Sequence, residues 1–127
     1  MKIAISSQGP ELRSQLDERF GRCPYFLLIN PESLEFEVLE NSEAEQGAGV
    51  SAAKLVIDAG AEVVITNNIG PKAFRVLKEA GVDIIVNGAG RVIDVIQQYK
   101  NGVFNSAAKP NSQGHPDKKR EDCLNVL

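Results

Sequence analysis

Apolar residues fall in two kinds of run along this chain, and the kind changes near its middle. Residues 2–6 (Lys-Ile-Ala-Ile-Ser) and 25–29 (Tyr-Phe-Leu-Leu-Ile) are short, continuous and rich in branched or aromatic side chains, as buried strands are. Asn30-Pro31 ends the second. Residues 34–39 (Leu-Glu-Phe-Glu-Val-Leu) instead alternate apolar with charged, which predicts a third strand with one solvated face, joined to the second as an antiparallel hairpin. Its glutamates protect an exposed sheet edge. Between the first two strands, residues 7–24 keep no period, and only 11–16 are suited to a helical turn. So long a loop inside a domain is commonly a functional or mobile one.

From Gly49 the pattern becomes helix, strand, helix, strand, helix. Residues 50–57 predict a small-residue helix closed by Ala59-Gly60, and 62–66 a buried strand. Pro71 opens a helix that presents Phe74, Leu77 and Ala80 on one face and stops at Gly81. Residues 83–86 are another buried strand. Val92, Val95, Ile96 and Tyr99 then make an i, i+3, i+4, i+7 stripe closed by Asn101-Gly102. Residues 59–67 and 80–88 echo each other at a spacing of 21: a glycine suited to a left-handed helix cap, an acidic residue, and an apolar run ending in Asn. Continuous apolar strands alternating with helices predict an α/β layer structure on a mostly parallel sheet. After Phe104 the period is lost, so one domain over residues 1–104 and a mobile tail over 105–127 are expected.

Composition narrows the function classes. A chain of 127 residues has room for one ordinary domain. Its 14 basic and 17 acidic residues give a net charge of −3, and residues 31–46 hold six glutamates with no Lys or Arg, which argues against nucleic acid or an anionic membrane as partner. No apolar run approaches the roughly 18 residues of a membrane span, and the N-terminal apolar segment is too short for a signal peptide. A cytoplasmic location is expected. There, Cys23 and Cys123, 100 positions apart, are free thiols rather than a disulfide.

If the third strand lies parallel to the first with the second antiparallel between them, the carboxyl ends of strands one, three, four and five share one edge. The loops there are 7–24, 40–49, 67–70 and 87–90. Ligands of open α/β sheets bind at such an edge, and three helices start beside it with unpaired N–H groups, which suits an anionic ligand. The candidate contacts are Ser7, Arg19, Arg22, Cys23, Gly47, Gly49, Asn67, Asn68 and Gly70. Arg19 and Arg22 supply fixed charge. They would also lower the pKa of Cys23, the candidate metal ligand, against the plainer reading of Cys23 as a structural thiol. Gly47-Ala48-Gly49 and Gly88-Ala89-Gly90 resemble phosphate-cradling loops but match neither dinucleotide-binding nor P-loop motifs, so the plainer reading, loops with glycines where φ must be positive, is preferred. Asn67-Asn68 likewise has a turn-and-cap reading.

Catalytic constellations are missing. The one histidine, His115, lies in the tail with Cys123, so the body offers no Ser-His or Cys-His pair. The buried runs of the first and fourth strands lack the paired carboxylates of two-metal nucleases.

Three segments, Arg19-Phe20-Gly21-Arg22-Cys23-Pro24-Tyr25-Phe26, Gly47-Ala48-Gly49-Val50 and Ile69-Gly70-Pro71-Lys72-Ala73, carry a resemblance with the order of elements around them. Together they resemble the dinitrogenase iron–molybdenum cofactor biosynthesis family, which includes NifX-type proteins and the C-terminal domain of NifB-type proteins. The resemblance spans about residues 1–104. It implies a ribonuclease H-like three-layer α/β fold, a five-stranded mixed sheet of order 3-2-1-4-5 with strand 2 antiparallel. It also implies non-catalytic binding or carriage of an iron–sulfur or iron–molybdenum cluster or its precursor, with a cluster-assembly or acceptor protein as partner. The alternative is a small-anion binding or regulatory module using the same crevice.

Overall fold

The computed structural model describes residues 1–42 and 49–111. Residues 43–48, including Gly47, and 112–127, including His115 and Cys123, lie outside them. The apolar runs become five strands, β1 (Ile3–Ser7), β2 (Tyr25–Ile29), β3 (Phe36–Glu40), β4 (Val63–Ile65) and β5 (Asp83–Ile85). Three helices join them: α1 (Gly49–Asp58), α2 (Pro71–Glu79) and α3 (Val92–Lys100).

The sheet order is β3-β2-β1-β4-β5. β2 runs antiparallel to both β1 and β3, and β1, β4 and β5 run parallel. Alternation along the strands divides the core in two. Ala4, Phe26, Leu28, Val64 and Ile84 pack with the buried Ala52, Ala53 and Val56 of α1 and with Phe74 and Leu77 of α2. Ile3, Ile5, Leu27, Ile29, Ile65 and Ile85 pack beneath Val92, Val95 and Ile96 of α3. β1 is buried along its whole length because both faces are covered. β3, at the edge, is mostly exposed.

The 21-residue echo is a structural repeat. Gly60 (φ +94°) and Gly81 (φ +81°) both take the left-handed conformation after a helix. In each copy the next N–H reaches back five residues, Ala61 to the Val56 carbonyl and Val82 to the Leu77 carbonyl, both at 3.0 Å. This closure drops the chain straight into the following strand.

Three local expectations shift. The third strand begins at Phe36 rather than Leu34, because the Asn30 side chain accepts from Glu32 and Ser33 N–H and Leu34 closes the turn at φ +65°. The expected helical turn over 11–16 is a tight turn at Glu11–Ser14, and Gln15 and Leu16 instead make β-bridges to Arg91 and Ser7. Contact with the domain does not stop at Phe104: Ala107 N–H donates to the Ile84 carbonyl at 2.7 Å, and Asn111 bonds to the β4–α2 loop.

Candidate functional site

The segment between β1 and β2 is ordered by what it buries. Phe20 is 1% exposed and Cys23 fully buried. The Phe20 ring lies 5.1 Å from that of Phe26. With Phe20 and Cys23 turned into the core, Arg19 and Arg22 face outward, and Arg22 N–H closes the turn on the Arg19 carbonyl at 3.4 Å. Asn41, just past β3, clamps this turn from the other side. Its Nδ2 donates to the Cys23 carbonyl at 2.9 Å and the Gly21 carbonyl at 3.4 Å, while its own N–H donates to Pro24 at 2.9 Å.

The result is an open pocket of about 540 Å³ lined by Arg19, Arg22, Pro24, Tyr25, Glu40, Asn41 and Ser42. That volume lies within the roughly 300–1,000 Å³ range of small-molecule sites. Asp17, buried under the rim, orients Arg19 by accepting its backbone N–H at 2.9 Å and standing 3.7 Å from its Nε. Arg22 is exposed and has no ion pair among the described residues. Two guanidinium groups therefore face one lining carboxylate, Glu40.

Of the residues expected from sequence, Arg19 and Arg22 line this pocket and the others do not. Asn68 is adjacent, bridged to Arg19 through Asn68 N–H to Glu18 (2.7 Å) and Phe20 N–H to the Asn68 carbonyl (3.1 Å). Asn67 faces the opposite way, its Nδ2 donating to the Gly88 carbonyl at 2.8 Å, which is the turn chemistry its type favours. Ser7 is fully buried, with its hydroxyl on the Gly9 carbonyl at 2.6 Å, so it supports the loop and does not line the pocket. Gly49 brings the start of α1 against α2, where a Cβ would stand 3.3 Å from that of Ala73. Gly70 caps α2 at an ordinary φ of −84°, with open space where a side chain would go. Neither strain nor packing demands glycine there.

Two expectations are corrected. Cys23 is not a low-pKa thiol: burial, reinforced by the nearby Asp17 carboxylate, pushes it up to about 12, and its Sγ–H donates to the Phe20 carbonyl at 3.4 Å. The neighbouring arginines point away into solvent, so their charge does not offset the desolvation. Nor do all three helix starts face the crevice. The first amides of α3 are taken, Val92 by the Ser14 carbonyl (2.9 Å) and Ile93 by that of Leu12 (2.8 Å).

Sequence reasoning put the 7–24 and 40–49 loops at this edge and quoted Pro24 and Tyr25 in the family segment, but named none of Pro24, Tyr25, Glu40, Asn41 and Ser42 as a contact. Their signal was topological: an antiparallel β2 starts at the rim where β3 ends. Among the described residues, no group of three or more His, Cys, Asp or Glu side chains is placed to hold a metal ion. No described helix is long and apolar enough to cross a membrane.

Comparison with known proteins agrees with this architecture. Over 107 residues the chain is 32% identical to an uncharacterized protein, MJ0580, of Methanocaldococcus jannaschii, a match covering 80% of this chain and 87% of that one. The apo form of the orange protein from Desulfovibrio gigas superposes with a TM-score of 0.84 at 33% identity, covering 87% of this chain and 96% of the other. A Thermotoga protein described as a NifB candidate gives 0.77 at 32% identity, over 89% and 98%. The family model described as dinitrogenase iron-molybdenum cofactor matches residues 1–102, and the chain belongs to that family.

Proposed function

We propose that the protein binds and carries an anionic metal–sulfur cluster or cluster precursor, held non-covalently in the Arg19/Arg22 pocket, without turnover. The observation that carries this reading is the outward pairing of two guanidinium groups on one open pocket of about 540 Å³, in a chain of this family. Clusters with thiolate or sulfide ligands are commonly anionic, and guanidinium N–H groups satisfy such acceptors in a fixed fork. The donor set fits a cluster bringing its own sulfur ligands. It does not fit a bare ion, since Cys23 is sealed and there is no triad of metal-ligating side chains among the described residues. The open pocket and the lack of a covalent tether also suit cargo that must be handed to a cluster-assembly or acceptor protein.

The same guanidinium fork would hold an oxyanion, so the test compares the two chemistries. Tetrathiomolybdate, a soluble metal–sulfur dianion, is titrated without oxygen and followed by its visible absorption, beside molybdate and inorganic phosphate by thermal shift. Saturable tetrathiomolybdate binding, weakened by salt and lost in Arg19→Ala/Arg22→Ala but kept in Cys23→Ala, is the expected result. Stabilisation by phosphate alone would move the assignment to the small-anion module, where a hundredfold excess over Kd adds about 2.7 kcal/mol. Binding that vanishes in Cys23→Ala with the fold intact would refute the non-covalent reading.

A further inference from the structure

We infer that Asn111 is a positioning residue for Arg19: the segment beyond α3 is a strap whose docking orders the cation of the pocket. The inference rests on the function proposed above. After Lys100 the chain turns back along the free edge of β5, pinned by Ala107 N–H on the Ile84 carbonyl. It ends, among the described residues, with the Asn111 carboxamide laid against the β4–α2 loop. Oδ1 accepts Ile69 N–H at 2.8 Å and Nδ2 donates to the Asn67 carbonyl at 2.7 Å.

Those are the two groups that a neighbouring strand would engage, so one side chain closes the outer edge of an extended segment. The inner edge of the same segment is Asn68, whose N–H and carbonyl hold Glu18 and Phe20. Arg19 sits between those two. Strap, loop and arginine segment thus form three adjacent rows, and the middle row carries support from the first to the third. Ile69 is 1% exposed and the Asn111 carboxamide holds its N–H at a part-buried site, so losing that acceptor loosens the outer edge of the loop. The Asn67 carbonyl, by contrast, keeps Asn87 N–H at 3.1 Å. The family match stops at residue 102, so the strap is built from residues beyond it.

The test has two arms. Amide exchange measured by NMR without any guest reads the coupling directly. Asn111→Ala should speed exchange at Asn68 and Phe20 about tenfold, while Ser106→Ala, an exposed strap position, leaves it unchanged. Tetrathiomolybdate titration then reads the consequence. Asn111→Ala should weaken binding about threefold to tenfold in the native chain and in Arg22→Ala, with no further loss in Arg19→Ala. Unchanged exchange at Asn68 and Phe20, or an affinity loss that persists undiminished in Arg19→Ala, would overturn the inference. A protein that binds no tetrathiomolybdate yet shows accelerated exchange would refute the proposed cargo, while upholding the strap as the support of the Arg19 segment.

Discussion

Raising the pH should erode the contribution of Cys23 to stability, and the structure sets the size of the effect. The thiol ordinarily titrates near 9 and in the fold is pushed up to about 12, chiefly by burial. Between those values the unfolded chain releases a proton that the native state retains, so stability falls as pH rises. The slope is about 1.4 kcal/mol per pH unit, reaching about 4 kcal/mol across the full interval. Below about 9 both states are protonated and the contribution is whole. Cys23→Ala removes one heavy atom from a fully buried site together with its bond to the Phe20 carbonyl, a loss of about 1–2 kcal/mol at neutral pH. The native chain should therefore begin as the more stable protein. The two stability curves should meet about 0.7 to 1.5 units above the ordinary thiol value, with the order reversed beyond it. Urea unfolding followed by circular dichroism, under reductant from about pH 8 to about pH 11, measures both curves, and the variant cancels the common titration of Lys and Tyr. Parallel curves over that range would show that the thiol ionises freely in the native state, and the account of a sealed Cys23 would fail.

Three further outcomes follow from the same packing. Asn41→Ala leaves the Cys23 carbonyl without its side-chain donor and should cost about 1–3 kcal/mol by urea unfolding, with looser anion binding because the arginine turn loses its clamp. Gly88→Ala places a Cβ 3.0 Å from Leu16 Cδ1 and 3.2 Å from Ile65 Cγ2, and should destabilise by about 1–3 kcal/mol. Gly70→Ala meets open space at an ordinary φ, so its melting temperature should match the native chain within a degree or two; a reduced tetrathiomolybdate affinity there would locate the guest against the start of α2.

Periodicity in the sequence was enough to define the strands and helices, the antiparallel β2–β3 hairpin and the glycine closures at Gly60 and Gly81, because each depends on local backbone geometry and on which face of one element is apolar. The charged alternation of residues 34–39 marked an edge strand for the same reason. Whether a side chain at the rim points in or out depends on contacts between distant segments, and the arginine turn illustrates it. Arg19, Phe20, Arg22 and Cys23 were all legible as a cluster. It was the fit of Phe20 against Phe26, and of Cys23 into the same core, that turned the arginines to solvent and sealed the thiol. The starts of α2 and α3 were both expected to offer free amides, yet the first amides of α3 are taken, by a loop about eighty residues earlier in the chain. Local pattern thus determined the elements and their order along the chain; tertiary packing decided which polar groups were left exposed at the rim, since a group's solvation and partners are set by whatever segment folds over it.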